Sequence, residues 1–368
     1  MNDTPGKDRK IRAGILFGGK SAEHEVSIRS ARNVLDALDK DRFEPVLIGI
    51  DKHGKWHQSD PAMLLAAGEN DLPKIDAAQT GLTLLPGSTD RELVGGSEQP
   101  ALDVIFPILH GPMGEDGTVQ GFLELANIPY VGPGVLGSAV GMDKDVMKRL
   151  LRDSGIPVTD FLVLHERDHK SFDAEAAVKK LGLPMFVKPA NLGSSVGVSK
   201  ATSVDELLQA VDLALQFDRK ILLEKAVVGS EVECAVLGND NPQASVPGRI
   251  IPQKDFYSYD AKYIDEDGAI LEIPAKLPEK LIDEVKAMAI KTFQVLECEG
   301  MARVDMFVTD DGEIIMNEIN TIPGFTKISM YPQLWGASGL SYTDLITRLI
   351  ELAIERFEAR QQLHTSYE

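Results

Sequence analysis

The most informative stretch of this sequence is MARVDMFVTDDGEIIMNEIN, which spans residues 301–320. Polar and apolar residues alternate on both sides of Asp311-Gly312, a pattern that predicts a β-hairpin with these two residues as its turn. If position 310 pairs with position 313, the opposed pairs further out are Asp305 with Glu318 and Arg303 with Asn320. All four polar side chains then share one face of the hairpin.

This arrangement of polar side chains predicts a magnesium-phosphate site. Carboxylates directly opposite each other on paired strands repel, so a sequence that places Asp305 and Glu318 in this way usually supplies a cation between them. Their oxygens and the Asn320 amide oxygen suit Mg²⁺, while Arg303 supplies a positive charge for a phosphate or an oxyanion. The Pro323-Gly324 turn that follows would aim backbone N–H groups at the same ligand. The alternative is an exposed hairpin face whose charges are simply solvated.

Composition excludes several classes of protein. The 368 residues predict two or three domains. The 57 acidic residues outnumber the 38 basic ones, which argues against a nucleic-acid partner. The two cysteines, Cys234 and Cys298, lack the spacing of a zinc site or a disulfide framework. No stretch has the apolar length of a signal peptide core or a membrane span, so we expect a soluble cytoplasmic protein with no membrane partner.

Short apolar strands predict that the chain begins with an α/β unit built on an open parallel sheet, with ligand sites at the strand ends. The predicted elements are strands at Ile11–Phe17, Pro45–Ile50 and Val104–Leu109 and a helix at Val26–Leu38. A helix capped by Asp143 follows, and strands mixed with helices then predict two α+β units. We therefore expect domains at 1–140, 141–228 and 229–368, although residues 60–100 are too weakly patterned to assign.

Two segments of the predicted second unit suggest a nucleotide site. Lys188 ends a strand and precedes a Gly- and Ser-rich loop that reaches Gly197, which suits backbone donation to phosphate oxygens. Together with the magnesium hairpin, this loop predicts ATP. Glu224 and Glu231 flank the end of another strand, where they would contact an adenine amino group and a ribose. The alternative for these two acids is an ordinary strand end between domains.

Two further segments are candidates for contacts with substrate. His110 follows an apolar strand and would lie at the ligand-binding end of the first sheet, although a His that caps a turn is an equal alternative. Asp255 to Gly268 is polar and is predicted to be a mobile loop whose Lys262 closes over the transferred phosphate. A solvated loop charge is the alternative for Lys262.

The segment Gly14 to Ser21 matches the P-loop pattern GxxxxGK[ST], but its context argues against a P-loop. In a P-loop the strand precedes the first Gly, whereas here residues 15–17 are the predicted strand itself. Glu23 follows this segment at the start of a helix. Its carboxylate would either stabilise the positive end of the helix dipole or bind a substrate ammonium group.

Taken in order, these motifs resemble the ATP-grasp superfamily and, within it, the D-alanine–D-alanine ligases of bacterial cell-wall synthesis. The resemblance covers nearly the whole chain. It rests on the segments Gly18–Ser27, His110–Gly117, Met142–Lys144, Lys188–Gly197, Tyr259–Tyr263, Arg303–Asp305 and Asn317–Gly324.

The resemblance implies a fold and a reaction. The fold would be an N-terminal open parallel α/β domain followed by two α+β subdomains that sandwich ATP. ATP would phosphorylate the carboxylate of one D-alanine, and the amine of a second D-alanine would attack the acyl phosphate. The resemblance also implies two Mg²⁺ ions, with Mn²⁺ as a substitute, and a homodimer.

The resemblance further implies roles for individual residues. The metal ligands would be Asp305, Glu318 and Asn320. The nucleotide would contact Lys144, Lys188, Ser195, Glu224, Lys225, Glu231, Lys262 and Asn317. Substrate would contact Glu23, Val26, His110, Arg303, Ser329 and Met330. Arg303 and the Gly324 N–H would form the oxyanion hole, while Glu23, Ser194 and Tyr263 would form a hydrogen-bonded cluster that fastens the closing loop.

Three other functions compete with this interpretation. A D-alanine–D-lactate ligase would share nearly every motif, although in the resemblance Tyr263 favours an amine nucleophile. A catalytically inactive nucleotide-binding regulator would be expected to lose its metal ligands first, yet Arg303, Asp305, Glu318 and Asn320 are all present. A P-loop nucleotidase would depend on Lys20.

Overall fold

The computed structural model describes residues 9–60, 64, 75, 81–87, 91, 93–95, 101–252 and 269–364. Three main sheets follow one another along the chain, and helices cover them. Within the described ranges, no helix is both long enough and apolar enough to cross a lipid bilayer.

The first sheet carries the order β3-β2-β1-β6. The elements of this part of the chain are β1 (Ile11–Gly18), α1 (His24–Ala37), β2 (Phe43–Ile50), β3 (Trp56–Ser59), β4 (Thr83–Leu84), β5 (Leu93–Val94), β6 (Val104–Ile108) and α2 (Thr118–Leu125). Strands β2, β1 and β6 are parallel, as predicted, and β3 is an antiparallel edge strand. The carboxyl ends of β1 and β6 therefore meet, which places Gly19 and His110 at one edge of the sheet.

The second sheet is antiparallel, with the order β7-β10-β8-β9. This part of the chain contains α3 (Val135–Met142), α4 (Lys144–Asp153), β7 (Phe161–His165), α5 (Ala174–Leu181), β8 (Met185–Pro189), β9 (Ser199–Ala201), α6 (Val204–Ala214) and β10 (Lys220–Lys225). Helix α4 begins at the predicted cap, because the Asp143 carboxylate accepts a hydrogen bond from the Val146 N–H at 3.0 Å. Met185 and Val187 pack under the helices, so strand alternation turns Phe186 and Lys188 to the opposite face.

The third sheet has the order β14-β13-β11-β15-β16, with β12 paired to β11. Its elements are β11 (Ser230–Gly238), β12 (Gln243–Ala244), β13 (Gly248–Pro252), β14 (Ala269–Glu272), α7 (Glu279–Val295), β15 (Gly300–Val308), β16 (Ile314–Asn320), α8 (Met330–Ala337) and α9 (Tyr342–Gln361). Ala302, Val304 and Met306 pack against α7 in one apolar core. Alternation along β15 therefore turns Arg303 and Asp305 to the other face.

The predicted pairs of the hairpin are confirmed, but its predicted turn is wrong. Asp305 is opposite Glu318 and Arg303 is opposite Asn320. The observed loop has three residues instead of the predicted two. It is closed by Thr309 and Glu313, and Gly312 adopts the left-handed conformation at φ 85°. The Thr309 hydroxyl accepts the Glu313 N–H at 3.0 Å and stabilises this wider loop. A bulge at the level of Asp305 then restores the predicted register.

Candidate active site

A cavity of about 450 Å³ lies between the second and third sheets. Phe186 and Phe307 contribute aromatic walls to it. Of the predicted nucleotide-binding residues, those that line the cavity are Lys144, Lys188, Ser195, Glu224, Lys225, Glu231 and Asn317. Lys262, together with Tyr263 and the rest of the predicted closing loop up to Gly268, lies outside the described residues. The structure thus brings every described member of the predicted nucleotide set to one cavity.

One end of the cavity carries a buried carboxylate between two lysines. Glu224 is 3 % exposed, and its oxygens lie 2.7 Å from Lys188 Nζ and 3.3 Å from Lys148 Nζ. Burial would raise the pKa of Glu224, but the charges of the two lysines lower it. Burial lowers the pKa of Lys148 to about 8, although Glu224 opposes that shift. This end of the cavity therefore has more positive than negative groups.

Sequence reasoning missed Lys148, which is fully buried on α4. The spacing of Lys148 from Lys144 could have identified it, because residues four apart lie on the same face of a helix. Lys144 itself is held by the Leu192 carbonyl at 2.7 Å and lies 3.5 Å from a Glu318 oxygen. It thus joins the lysine end of the cavity to the hairpin.

The Gly- and Ser-rich loop after Lys188 has an unusual backbone. Ser194 and Ser195 adopt φ values of 51° and 58°, and Gly197 adopts 70°. Consecutive residues in this left-handed region are uncommon for side chains with a Cβ and turn N–H groups toward one side of the loop. Since Gly193 and Ser195 line the cavity, these groups suit an anion there.

The hairpin borders the other end of the cavity, where Asn317 and Glu318 line it and Arg303, Asp305 and Asn320 lie further along the same face of the hairpin. Arg303 donates from Nε to Asp305 Oδ1 at 2.8 Å and from NH2 to Asp305 Oδ2 at 2.7 Å, and it also lies 2.9 Å from Glu233. The Asn320 amide donates to Asp305 Oδ2 at 2.9 Å. Burial would lower the pKa of Arg303, but the charges of Asp305 and Glu233 raise it well above its usual value. The four predicted residues therefore form one contiguous cluster.

The bulge in β16 explains why two consecutive residues face the cavity. Met316 and Ile319 are buried in the core under α7, whereas Asn317 and Glu318 both line the cavity. A regular strand would turn one of this central pair inward. Asn317 accepts a hydrogen bond from Lys188 Nζ at 3.4 Å. The bulge thus adds Asn317 to the site without losing Glu318.

The donor set at the hairpin fits a magnesium ion that is shared with a nucleotide. Asp305, Glu318 and Asn320 offer two carboxylates and one amide, all of them oxygen ligands. Over the described ranges, no three His, Cys, Asp or Glu side chains group so as to hold a metal by themselves. Mg²⁺ in nucleotide enzymes typically uses one or two carboxylates together with phosphate oxygens, which is what this set provides.

The edge of the first sheet contributes a second polar cluster. The Ser194 hydroxyl donates to Glu23, and a Cβ on Gly111 would come within 3.1 Å of the other Glu23 oxygen. Two of the three predicted members of the loop-fastening cluster are therefore in contact, and Tyr263 lies outside the described residues. Val26 is buried on α1, one helical turn beyond Glu23.

His110 and Glu115 lie beside Glu23; His110 is buried and Glu115 is half-buried. His110 Nδ1 donates to the Ile322 carbonyl at 3.1 Å, and burial lowers the pKa of the imidazole. Its Nε2, 3.4 Å from the Ser30 hydroxyl, is then the unprotonated nitrogen. Burial and the charge of Glu23 raise the pKa of Glu115 to about 8. Ser30 also accepts the Phe325 N–H at 3.2 Å, which ties His110 to the turn after the hairpin.

That turn is crowded at Gly324. A Cβ at this position would come within 2.8 Å of the Ser329 hydroxyl, which bonds to the Thr326 N–H at 2.9 Å. Met330 begins α8 with its side chain buried in the core, so only its backbone is available to a ligand. A larger residue at position 324 would therefore displace the Ser329 hydroxyl.

Comparisons with known proteins identify the family. Residues 12–133 match the D-ala D-ala ligase N-terminus model and residues 150–351 match the D-ala D-ala ligase C-terminus model. The D-alanine--D-alanine ligase of Shouchella clausii is 56% identical over 361 residues, which cover 97% of this chain and 98% of that protein.

Solved structures give the same result. The D-alanine-D-alanine ligase from Coxiella burnetii has a TM-score of 0.85 at 39% identity over 96% of each chain. The VanG D-Ala:D-Ser ligase from Enterococcus faecalis has a TM-score of 0.83 at 33% identity, covering 94% of this chain and 100% of that one. This ATP-grasp protein therefore belongs to the D-alanine–D-alanine ligase family.

Proposed function

We propose that this enzyme joins two molecules of D-alanine into D-alanyl-D-alanine, with conversion of ATP to ADP and phosphate, for the synthesis of peptidoglycan precursors. The observation that carries the proposal is the charge pattern of the 450 Å³ cavity. One end has two lysines around Glu224, and the other has two carboxylates around Arg303, with Glu318 opposite one of them. A magnesium nucleotide matches both ends at once.

The nucleotide-binding residues divide between the base and the phosphates. Glu224, which also holds Lys188, lines the cavity with Lys225 and Glu231 near the connection between β10 and β11. These three residues would hold the adenine and ribose, with Phe186 and Phe307 covering the base. The residues that would hold the phosphates are Lys144, Lys188, Ser195, Asn317 and, from the closing loop, Lys262. The left-handed backbone at Ser194 and Ser195 supports this division.

Asp305, Glu318 and Asn320 would hold two Mg²⁺ ions, for which Mn²⁺ would substitute. When bound, these ions neutralise charge on the phosphates during transfer. The chain's own part is to fix three oxygen ligands on two paired strands. The short contacts among Arg303, Asp305 and Asn320 support a preorganised site.

The first D-alanine would lie between the first sheet and the hairpin. Glu23 would bind its ammonium group, with Val26 and His110 beside it. Its carboxylate accepts the phosphoryl group, and the amine of the second D-alanine then attacks the acyl carbon while phosphate leaves. Arg303 and the Gly324 N–H would stabilise the oxyanion at that carbon, and Ser329 with Met330 would bind the second carboxylate.

An acyl phosphate hydrolyses in water, so the site must be closed before it forms. Ser194 already contacts Glu23, and Tyr263 from the closing loop would complete this cluster. We also propose three domains, 1–140, 141–228 and 229–368, because each main sheet lies within one of these ranges. A homodimer in the cytoplasm completes the proposal, and the two buried free cysteines suit a reducing compartment.

The test is an assay of phosphate release and product mass with ATP, Mg²⁺ and single amino acids. We expect phosphate and a dipeptide with D-alanine and neither with L-alanine. Mixtures of D-alanine with D-lactate or D-serine test the second substrate. A depsipeptide with no dipeptide would identify a D-alanine–D-lactate ligase, and nucleotide binding without turnover would identify a regulator.

A further inference from the structure

Three carboxylates lie in a row across three neighbouring strands of the third sheet. Glu233 on β11 is directly opposite Asp305 on β15, which is directly opposite Glu318 on β16. Glu233 and Asp305 are 4 % and 2 % exposed. Asp305 and Glu318 have proposed roles as metal ligands, whereas Glu233 has none in the proposed function. Its spacing of two residues from Glu231 puts it on the cavity face of β11.

Glu233 contacts Arg303 at 2.9 Å, and Arg303 is also held by Asp305. The guanidinium covers both oxygens of Asp305, with hydrogen bonds of 2.8 and 2.7 Å. A paired fork of this kind is among the stronger contacts between side chains. Arg303 therefore has two anionic partners on adjacent strands.

The fork creates a conflict with metal binding. A metal held by Asp305 would share the carboxylate with Arg303, and its charge would repel the guanidinium. Metal binding would therefore weaken the contact of Arg303 with Asp305, while the proposed reaction needs Arg303 beside the cavity to serve the oxyanion. A buried guanidinium without an anionic partner is costly, so a second carboxylate is needed nearby.

We propose that Glu233 is the positioning residue that keeps Arg303 at the reaction centre when Asp305 binds the metal. Without the metal, the guanidinium contacts both Asp305 and Glu233. With the metal bound, Glu233 alone would hold it. This inference rests on the proposed function, since it takes Asp305 to be a metal ligand. Glu233 touches neither the substrate nor the metal and acts through Arg303.

Glu233→Gln tests the inference because it keeps the shape of the side chain and removes its charge. Direct titration with Mn²⁺ in the presence of ADP, read from the spin-resonance signal of the free ion, gives metal affinity without turnover. We expect affinity to fall about tenfold, as is typical when a partner of a metal-ligand cluster is lost. Glu313→Gln removes an exposed acid of the same hairpin and should leave affinity unchanged.

A second measurement separates positioning from a simple effect of charge. If Glu233 acts only by attracting the metal, saturating Mg²⁺ restores the wild-type kcat of Glu233→Gln. If it positions Arg303, kcat stays about tenfold low at saturating metal, and Glu233→Gln has little further effect on Mn²⁺ affinity in an Arg303→Met background. Full recovery of kcat, or an equal loss of affinity in both backgrounds, overturns the inference. Asp305→Asn should abolish Mn²⁺ binding, and its failure to do so would instead overturn the proposed metal site.

Discussion

The two ends of the nucleotide cavity are built from the same kinds of side chain in opposite proportions. At the hairpin, one guanidinium, Arg303, lies among the carboxylates Glu233 and Asp305, with Glu318 opposite Asp305. At the other end, one carboxylate, Glu224, lies between Lys148 and Lys188. The first end has an excess of negative charge and suits a metal ion; the second has an excess of positive charge and suits phosphate. The ends therefore differ in which ligand relieves the imbalance.

The difference between the two ends indicates that their buried ion pairs contribute more to ligand binding than to the stability of the fold. Removing charges from water costs several kcal/mol per ion, and a buried pair recovers that cost only with good geometry. Neither end is neutral by itself, so each is best stabilised with its ligand present. Changes at one end should then affect the metal or the reacting oxyanion, and changes at the other should affect ATP.

The largest expected effect is at the hairpin end. Arg303→Ala should lower kcat about 100- to 1,000-fold, because losing one donor to an oxyanion costs about 3–4 kcal/mol of transition-state stabilisation. The measurement is steady-state phosphate release at saturating ATP and D-alanine. Turnover at the wild-type level would show that Arg303 has no part in the reaction.

The matching change at the other end is Lys148→Met. With Lys148 gone, Glu224 would hold Lys188 alone and draw it away from the phosphates. We expect KM for ATP to rise about tenfold, since hydrogen bonds to charged groups contribute about 1.5–3 kcal/mol, with a smaller change in kcat. Arg149→Met is the matched control, because Arg149 is exposed on the same helix. If kcat fell and KM did not, the two ends would not be separate in function.

Sequence predicted the hairpin end better than the lysine end, and the reason is physical. The pairing of Asp305 with Glu318 follows from the local alternation of polar and apolar residues. The predicted pairing is correct although the predicted turn is wrong, because the wider loop and the bulge at Asn317 shift the pairing by one residue in opposite directions. Lys148 meets Glu224 through a contact between α4 and β10, which lie far apart in the sequence. The local pattern of the sequence does not predict such a contact. Glu233 was missed although Glu231-Val-Glu233 already places two acids on one face of a strand.

A pH-dependent effect is expected at Glu115, which belongs to neither end. Its pKa is raised from 4.5 to about 8 by burial and by Glu23, so the folded protein binds more protons than the unfolded chain between those values. Stability should therefore fall as pH rises through that window, by up to about 1.4 kcal/mol per pH unit. Glu115→Gln should flatten this fall in urea unfolding measured from pH 5 to 8. An unchanged slope would mean that Glu115 is ionised in the folded protein throughout.

The smallest expected effect is at Lys20, the lysine of the P-loop-like segment. Residues 15–17 lie within β1, and Lys20 is exposed and absent from the residues that line the cavity. In the proposed function, the phosphate-binding charge comes instead from Lys144 and Lys188, which line the cavity. Lys20→Ala should change kcat/KM for ATP by less than about twofold, as for an ordinary surface substitution. Loss of ATP binding in this variant would indicate that the nucleotide binds at the first sheet. It would contradict the proposal that the two ends of the cavity bind the metal and the phosphates.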